Sequence, residues 1–221
     1  MKRKIYILLL LSLYIFSCTT PDKKGSDENN IDLRAYTKRT VKLLNNVGTL
    51  NIYLPKELDS LTSYIYYSDY RCGHKQIFEF SNRKGTILHQ DGYVPRQRID
   101  STFYFKCEQY LYPNCNTKNS KIDSNILKNA KSYLFETRGY PIPFRGELLK
   151  IHNRDFAVWE YWYKGRWQLK DTTIPTCEVH AETVVRGNWL TMYFECTKKD
   201  TAGFMNKALT SLKTIEFDTT K

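Results

Sequence analysis

The chain has 221 residues, of which 41% are hydrophobic and 14% aromatic, so it carries enough apolar side chains to bury a core. The formal net charge of +11 at pH 7 allows an anionic partner, but the basic residues are scattered and no run of five occurs. The length excludes a large multidomain protein, and the scattered charge favours solvated surface positions over a dedicated anion-binding site.

The first residues indicate a secretory signal. Three basic residues, Lys2–Lys4, precede an apolar run from Ile5 to Phe16. This run is too short to span a bilayer, which takes about 20 apolar residues, but it fits a signal peptide. It ends in Ile15-Phe16-Ser17-Cys18, which resembles the lipobox of bacterial lipoproteins, although Phe16 is bulkier than usual at its position. We expect a signal peptide at 1–17 and an acylated Cys18. The alternatives are an ordinary signal peptide with an incidental cysteine and an uncleaved anchor.

The rest of the chain divides into a tether and a domain. Residues 18–30 are polar without apolar periodicity and predict a flexible tether, and residues 31–221 are expected to form one domain. Removal of the signal takes away three positive charges and leaves +8. Thr19 and Thr20 do not resemble an inner-membrane retention signal, so we expect the lipid in the outer membrane, with the domain facing the periplasm or the exterior. An exported domain meets little nucleic acid, which is not expected as a partner.

Strands dominate the domain. Apolar alternation and turn signals predict strands at 40–44, 49–54, 63–67, 76–80, 86–89 and 101–106. A helix is predicted over 121–136, with Ser120 as its cap and Gly139 and Pro141 at its end. Strands at 147–152, 156–163, 166–170, 177–185 and 188–196 follow, then a helix over 201–212 and a strand at 214–217. This pattern predicts an α+β fold, mainly an antiparallel β-sheet with two packed helices.

The hairpin over 177–196 has a testable register. If Arg186-Gly187 is a two-residue loop, Val185 faces Asn188, and counting outward brings Cys177 opposite Cys196. Directly opposed Cα atoms lie about 4.5–5.5 Å apart, a distance that a disulfide tolerates. The same register gathers an apolar face that we expect to be the core face: Val179, Ala181, Val185, Leu190, Met192 and Phe194. We predict a Cys177–Cys196 disulfide; the alternative is two neighbouring buried thiols.

The other cysteines give weaker signals. Cys107 and Cys115 are expected to close a local loop by a second disulfide, which leaves Cys72 as an unpaired thiol. Cys72-Gly73-His74 offers two potential ligands, too few for zinc, so no metal site is expected.

The last part of the chain contains a recognisable pattern. Asn188–Glu195 is a strand of the form W-hydrophobic-T-x-Y-F, and Phe204–Ile215 reads as a helix ending in L-K-T-I. Gly48–Pro55 reads as an opening strand with a turn at its proline. These segments resemble the Mog1/PsbP-like family, whereas region 63–120 departs from any such pattern. The resemblance implies an antiparallel sheet between helices, an α/β/α sandwich, in a non-catalytic binding or assembly factor.

No catalytic motif is present in the sequence. GxSxG, HExxH, P-loop and GxGxxG patterns are all missing. His152 and His180 fall in predicted strands, where a solvent-facing or hydrogen-bonded imidazole is expected. Glu178 and Glu182 share one strand face, and we expect them on a solvated surface. We therefore expect no enzyme activity and no cofactor; the enzymatic alternative is a hydrolase that uses a histidine and a thiol such as Cys72.

The segment from Trp159 to Trp167 is aromatic on both faces. One face must be core, and the other needs cover from a helix or a partner. If a partner covers it, the ligand-binding candidates are Trp162, Tyr163, Arg166 and Trp167, because such residues dominate interface hot spots. The expected function is a non-enzymatic binding or accessory module of the cell envelope with a protein or glycan partner. The alternatives are an immunity protein against a periplasmic toxin and a carbohydrate-binding surface lipoprotein.

Overall fold

The computed structural model describes residues 32–69, 73–82, 103–112, 121–138, 142–164, 175–196 and 201–219. All of them except Asp32 belong to the unit Leu33–Lys221, the second of two into which the chain divides. The predicted signal peptide, the tether and Cys18 lie outside the described residues, as do the predicted strands at 86–89 and 166–170.

Ten strands and two helices follow one another along the described residues. The strands are β1 (Tyr36–Leu43), β2 (Gly48–Pro55), β3 (Ser60–Tyr66), β4 (Lys75–Ser81), β5 (Phe103–Tyr110), β6 (Phe144–Ile151), β7 (Arg154–Lys164), β8 (Pro175–Val185), β9 (Asn188–Cys196) and β10 (Glu216–Asp218). Helix α1 spans Ser124–Arg138 and helix α2 spans Thr201–Lys213. A small sheet has the order β1-β2-β10, and a large sheet has the order β3-β4-β5-β9-β8-β7-β6. Every pairing among the described strands is antiparallel, which confirms the predicted α+β class.

In three of the hairpins, the turn between the two strands contains two consecutive residues with left-handed backbone. Asn45 and Asn46 both have φ of 56°, His152 and Asn153 have 45° and 64°, and Arg186 and Gly187 have 48° and 75°. The backbone twist of a turn with two such residues matches the right-handed twist of the strands that it connects. His152 therefore lies in a turn, and its predicted place in a strand is wrong.

The helix ends also differ from prediction. The Asp123 carboxylate accepts a hydrogen bond of 2.9 Å from the Asn125 backbone N–H, so Asp123 caps α1, and the predicted cap, Ser120, lies outside the described residues. After α2, the Ile215 N–H still donates to the Leu212 carbonyl at 3.1 Å. Because of this turn, the last strand begins at Glu216 instead of residue 214.

The main core lies between the two sheets and includes one face of α2. The inward side chains of β8 and β9 are fully buried there, as the hairpin register predicts: Val179, Ala181, Val185, Leu190, Met192 and Phe194. Leu50, Ile52 and Leu54 enter from the small sheet, and Phe204 and Leu212 enter from α2. The small sheet and α2 therefore both pack on the apolar face of the large sheet.

Helix α1 covers part of the opposite face of the large sheet. Ile122, Ile126 and Leu134 form a second cluster with Trp159 and Tyr161 of β7. The two helices therefore pack on opposite faces of this sheet. Neither described helix is both long enough and apolar enough to cross a membrane.

Candidate functional site

The face of the large sheet that points away from the main core is unusually polar. In β8, apolar Cys177, Val179 and Ala181 alternate with Glu178 and His180, so the polar residues share the other face. The neighbouring strands repeat this alternation. We call the following side chains the polar face: Lys75, Tyr104, Lys106, Glu108, Tyr161, Tyr163, Glu178, His180, Glu182, Tyr193 and Glu195.

Glu178 lies at the centre of the polar face. The Tyr161 hydroxyl donates to its Oε2 at 2.6 Å, and the Tyr163 hydroxyl donates to its Oε1 at 2.8 Å. His180 Nε2 lies 2.8 Å from Oε2. The residue is only 9% exposed, and both of its carboxylate oxygens accept hydrogen bonds from its own chain. Strand pairing alone brings these groups together, because Glu178 faces Tyr161 directly in the β7–β8 register.

These contacts determine the charge state of Glu178. Burial raises the pKa of its carboxyl group, but the hydrogen bond and charge of His180 and the bonds from Tyr161 and Tyr163 outweigh that and lower the pKa to about 2. Glu178 is therefore an anion at any physiological pH and cannot serve as a general acid.

A second carboxylate, Glu108, is held by two lysines. Lys75 Nζ lies 2.7 Å from one oxygen and Lys106 Nζ lies 2.6 Å from the other. Burial raises the pKa of Glu108, but the two ammonium groups lower it by more. Lys106 also lies over the ring of Tyr193, 4.7 Å from its centroid, which adds a cation–π contact. This triad is thus an internally paired ionic group.

Glu195 and Glu178 face each other across the β8–β9 pair. Both are buried, yet their oxygens accept bonds from tyrosines on opposite sides, since the Tyr104 hydroxyl of β5 donates to Glu195 Oε2 at 2.7 Å. Tyrosine hydroxyls therefore replace water around these two carboxylates, which would otherwise repel each other in a buried position.

Glu182 differs from the other carboxyl groups of the polar face. Burial raises its pKa to about 7, although a hydrogen bond from Trp189 and the charge of Lys75 oppose this rise. Glu182 therefore gains or loses its proton near neutral pH, unlike Glu178 and Glu108, whose pKa values are lowered.

Aromatic rings fix the position of His180. Its ring stacks on Trp159 at 5.2 Å between centroids and meets the edge of Tyr193 at 4.4 Å. The imidazole is thus clamped between two rings and tied to Glu178. Among the described residues, no group of three or more His, Cys, Asp or Glu side chains could hold a metal ion.

The predicted ligand-binding residues divide between the two faces of β7 and the region beyond it. Trp162 is half-buried and packs against the main core. Tyr163 is buried in the cluster with α1 and donates to Glu178. Arg166 and Trp167 lie outside the described residues. In the described part of β7, α1 packs on one aromatic face and the main core lies on the other, and the binding role of these four residues stays a prediction.

The predicted register of the cysteine hairpin is confirmed, because Cys177 faces Cys196 directly. Both are buried thiols in the structure, and the Cys177 thiol donates to the Cys196 carbonyl oxygen at 3.8 Å. Cys107 is a third buried thiol, and its predicted partner, Cys115, lies outside the described residues, as does Cys72. The two disulfides stay predictions.

The expectation of a solvated surface is wrong for Glu178, which is buried and hydrogen-bonded to Tyr161, Tyr163 and His180. The same reasoning missed Glu108, Glu195 and Tyr161. Part of the signal is present in the sequence, because charged and tyrosine residues alternate with apolar ones along β5, β8 and β9, whereas β7 does not show this pattern. Alternation shows that they share one face, but it does not show whether that face meets water or is covered.

Comparison with known proteins adds little to this description. No family model matches the chain, and no curated protein matches it. A crystal structure from Bacteroides thetaiotaomicron VPI-5482, at 1.50 Å resolution, aligns with 12% sequence identity and a TM-score of 0.34. The alignment covers 76% of this chain and 45% of that one, so this chain spans less than half of its length. A likeness of this size supports no argument about fold or function. The fold and site define an α+β domain with a buried polar sheet face.

Proposed function

We propose that the chain is an exported lipoprotein, anchored in the outer membrane through an acylated Cys18, whose domain is a non-enzymatic binding or accessory module of the cell envelope. The lipobox-like Ile15–Cys18 and the polar residues 19–30 support the anchor. The partner of this module would be a protein or a glycan, and nucleic acid is not proposed.

The observation that supports a non-enzymatic function is that two central carboxylates of the polar face, Glu178 and Glu108, are fully paired within the chain. Both oxygens of Glu178 and both oxygens of Glu108 already accept short bonds from groups of the same chain. A general acid or base needs an oxygen that can exchange a proton with a substrate. These carboxylates stabilise a rigid sheet instead, and such a sheet suits the display of a binding surface.

The packing of the aromatic strand bears on the kind of partner. Tyr163 is buried and donates to Glu178, and Trp162 is half-buried against the main core, so only part of the Trp162 ring is available to stack on a sugar. The carbohydrate-binding alternative therefore loses support from these two residues, and a protein partner is the better proposal.

We also propose the Mog1/PsbP-like sandwich as the finer description of the fold. The order β9, α2, β10 follows the order of the resembling segments, and one helix packs on each face of the large sheet. An experimental structure whose topology superimposes on that family over the whole large sheet would test this proposal.

Acylation provides the direct test of the anchor. The full chain is expressed with labelled palmitate, beside Cys18→Ala and, as a matched control, Cys72→Ala. The wild type and Cys72→Ala should incorporate label and fractionate with membranes, and Cys18→Ala should do neither. A Cys18→Ala chain that keeps the label and the membrane fractionation would overturn the proposal.

The binding role needs a separate experiment. The anchored full chain is cross-linked in intact cells, purified and analysed by mass spectrometry, with Cys18→Ala as the mislocalised control. The proposal expects an envelope protein that is enriched with the wild type and absent with the control. Recovery of the same proteins from both would contradict a localised binding role.

A further inference from the structure

A cleft of about 330 Å³ opens between the small sheet and the turn that joins β6 to β7. Ile151, His152 and Arg154 line one side of it, and residues 215–218 line the other. We call this space the β10 cleft. Ligand pockets in proteins span about 300–1,000 Å³. The β10 cleft lies at the lower end of that range, so it suits a small molecule.

The structure holds the guanidinium of Arg154 at the wall of the β10 cleft. Arg154 lies on the same side of β7 as Phe156 and Val158, which are buried in the main core. Its Nη1 donates to the Val184 carbonyl at 2.8 Å. Its Cζ lies 5.2 Å from the centroid of the Phe217 ring, a cation–π contact. These two contacts fix the position of a half-buried cation beside the cleft.

This cation has no counter-charge among the described residues. Burial lowers the pKa of the Arg154 guanidinium, and no acidic group offsets that effect. A charge that is removed from water without an opposite charge is unfavourable, so the position favours an anion from outside the chain. The planar guanidinium fork matches a carboxylate, which it can bind with two parallel hydrogen bonds.

The opposite wall of the β10 cleft is acidic. Glu216 and Asp218 alternate with Phe217 along β10, so their exposed carboxylates lie on the same side of that strand. A phosphate dianion in the cleft would be repelled by these two acids. A molecule that carries one carboxylate and one ammonium group is complementary to both walls.

We propose that the β10 cleft binds a small zwitterion of the amino-acid class, whose carboxylate pairs with Arg154 and whose ammonium group pairs with Glu216. Three apolar residues also line the cleft, Ile151, Ile215 and Phe217, and they favour a ligand with an apolar side chain. This site is additional to the surface that binds a macromolecular partner, and it does not depend on the acylation of Cys18.

Calorimetric titration with three related probes tests the ligand class. The full chain, purified in detergent, is titrated with L-leucine, with L-leucinamide, which lacks the carboxylate, and with 4-methylpentanoate, which lacks the ammonium group. L-Leucine should bind with a Kd of about 1 mM or lower. Each of the other two probes should bind about tenfold more weakly or worse, because each loses one charged contact.

Variants of the two walls test the residues. Arg154→Gln should weaken L-leucine binding about tenfold or more. Arg145→Gln is the matched control, because Arg145 is an exposed arginine on β6 that does not line the cleft, and it should stay within about twofold of wild type. Circular dichroism checks that both variants fold.

Glu216→Gln provides a second test at an exposed position, where a substitution leaves the main core intact. This variant should weaken the binding of L-leucine, which loses the partner of its ammonium group. It should bind 4-methylpentanoate at least as well as wild type does, because a repelling charge is removed. Equal weakening for both probes would contradict the proposed pairing.

Three further results would overturn the inference. These are a chain that does not bind L-leucine, equal losses from Arg154→Gln and Arg145→Gln, or tighter binding of L-leucinamide or inorganic phosphate than of L-leucine. Palmitate labelling reports the anchor separately, so a failed anchor and an empty cleft give different results.

Discussion

Glu178 shows how one side chain can organise a buried polar face. It joins β7 to β8 because its two oxygens accept bonds from Tyr161, Tyr163 and His180. A buried carboxylate without such donors would be strongly destabilising. The tyrosines therefore act as replacements for water, and the loss of one should cost more than an ordinary hydrogen bond.

Tyr163→Phe tests this reasoning. The variant keeps the ring and removes the donor to Glu178 Oε1, so the free energy of unfolding should fall by about 1.5–3 kcal/mol, the range for hydrogen bonds to charged groups. Urea unfolding measures the change. Tyr133→Phe, on the exposed side of α1, is the matched control and should stay within about 0.5 kcal/mol. Equal effects of the two variants would show that the hydroxyl bond adds no stability.

Glu178 and Glu182 should give the protein two opposite pH dependences. The pKa of Glu178 falls to about 2 on folding, so its contribution is present above about pH 4.3, its unfolded value, and is lost as the pH falls toward 2. The pKa of Glu182 rises to about 7, so its contribution is present below about pH 4.3 and is lost as the pH rises through 7.

Glu182→Gln should remove the second dependence. Wild-type stability should decline between about pH 4.3 and 7 by up to about 3 kcal/mol, at about 1.4 kcal/mol per pKa unit. The glutamine variant cannot titrate at this position, so its unfolding free energy should lack the decline that Glu182 causes over that interval. Unfolding midpoints at half-unit pH steps provide the measurement. A decline of the same size in both proteins would assign the titration to another group.

The register of the β8–β9 hairpin places two cysteines directly opposite each other, in position for a disulfide. Cys177 and Cys196 are directly opposed, and both are buried thiols. In an oxidising compartment this geometry should give a disulfide, which would close a loop of about 20 residues and add about 3 kcal/mol. Chain purified from the envelope is unfolded, alkylated without reductant and digested. The two cysteines should stay unalkylated and linked, whereas alkylation of both would show that they remain thiols.

The sequence predicted this hairpin because two separate signals, the Arg186-Gly187 turn and the apolar alternation, require the same register. The predicted start of β10 is wrong, because no sequence signal distinguishes the helical turn at Thr214 and Ile215 from a strand. The burial of Glu178 was missed for a different reason. Two of its hydrogen-bond donors, Tyr161 and Tyr163, lie on β7, which comes earlier in the chain. The length of the segment between β7 and β8 does not determine that these two strands pair.

Helix α2 links the two sheets into one cooperative unit. Ala208 and Leu212 are buried in the same cluster as Leu50 of the small sheet and Val179 of the large one. Neither sheet has a core of its own on that side. We therefore expect the two sheets to unfold together instead of as separate units.

Ala208→Leu tests this cooperativity. Ala208 is fully buried, so the added atoms overpack the space between α2 and the sheets and should cost about 1–3 kcal/mol. Asn206→Leu, on the exposed side of the same helix, is the matched control and should change stability by less than about 0.5 kcal/mol. Native-state hydrogen exchange should show the amide protection of β2 and of β8 falling by the same free energy in Ala208→Leu. Loss of protection in β2 while β8 keeps its wild-type value would show that the small sheet opens by itself, because a shared core must transmit the strain to both sheets.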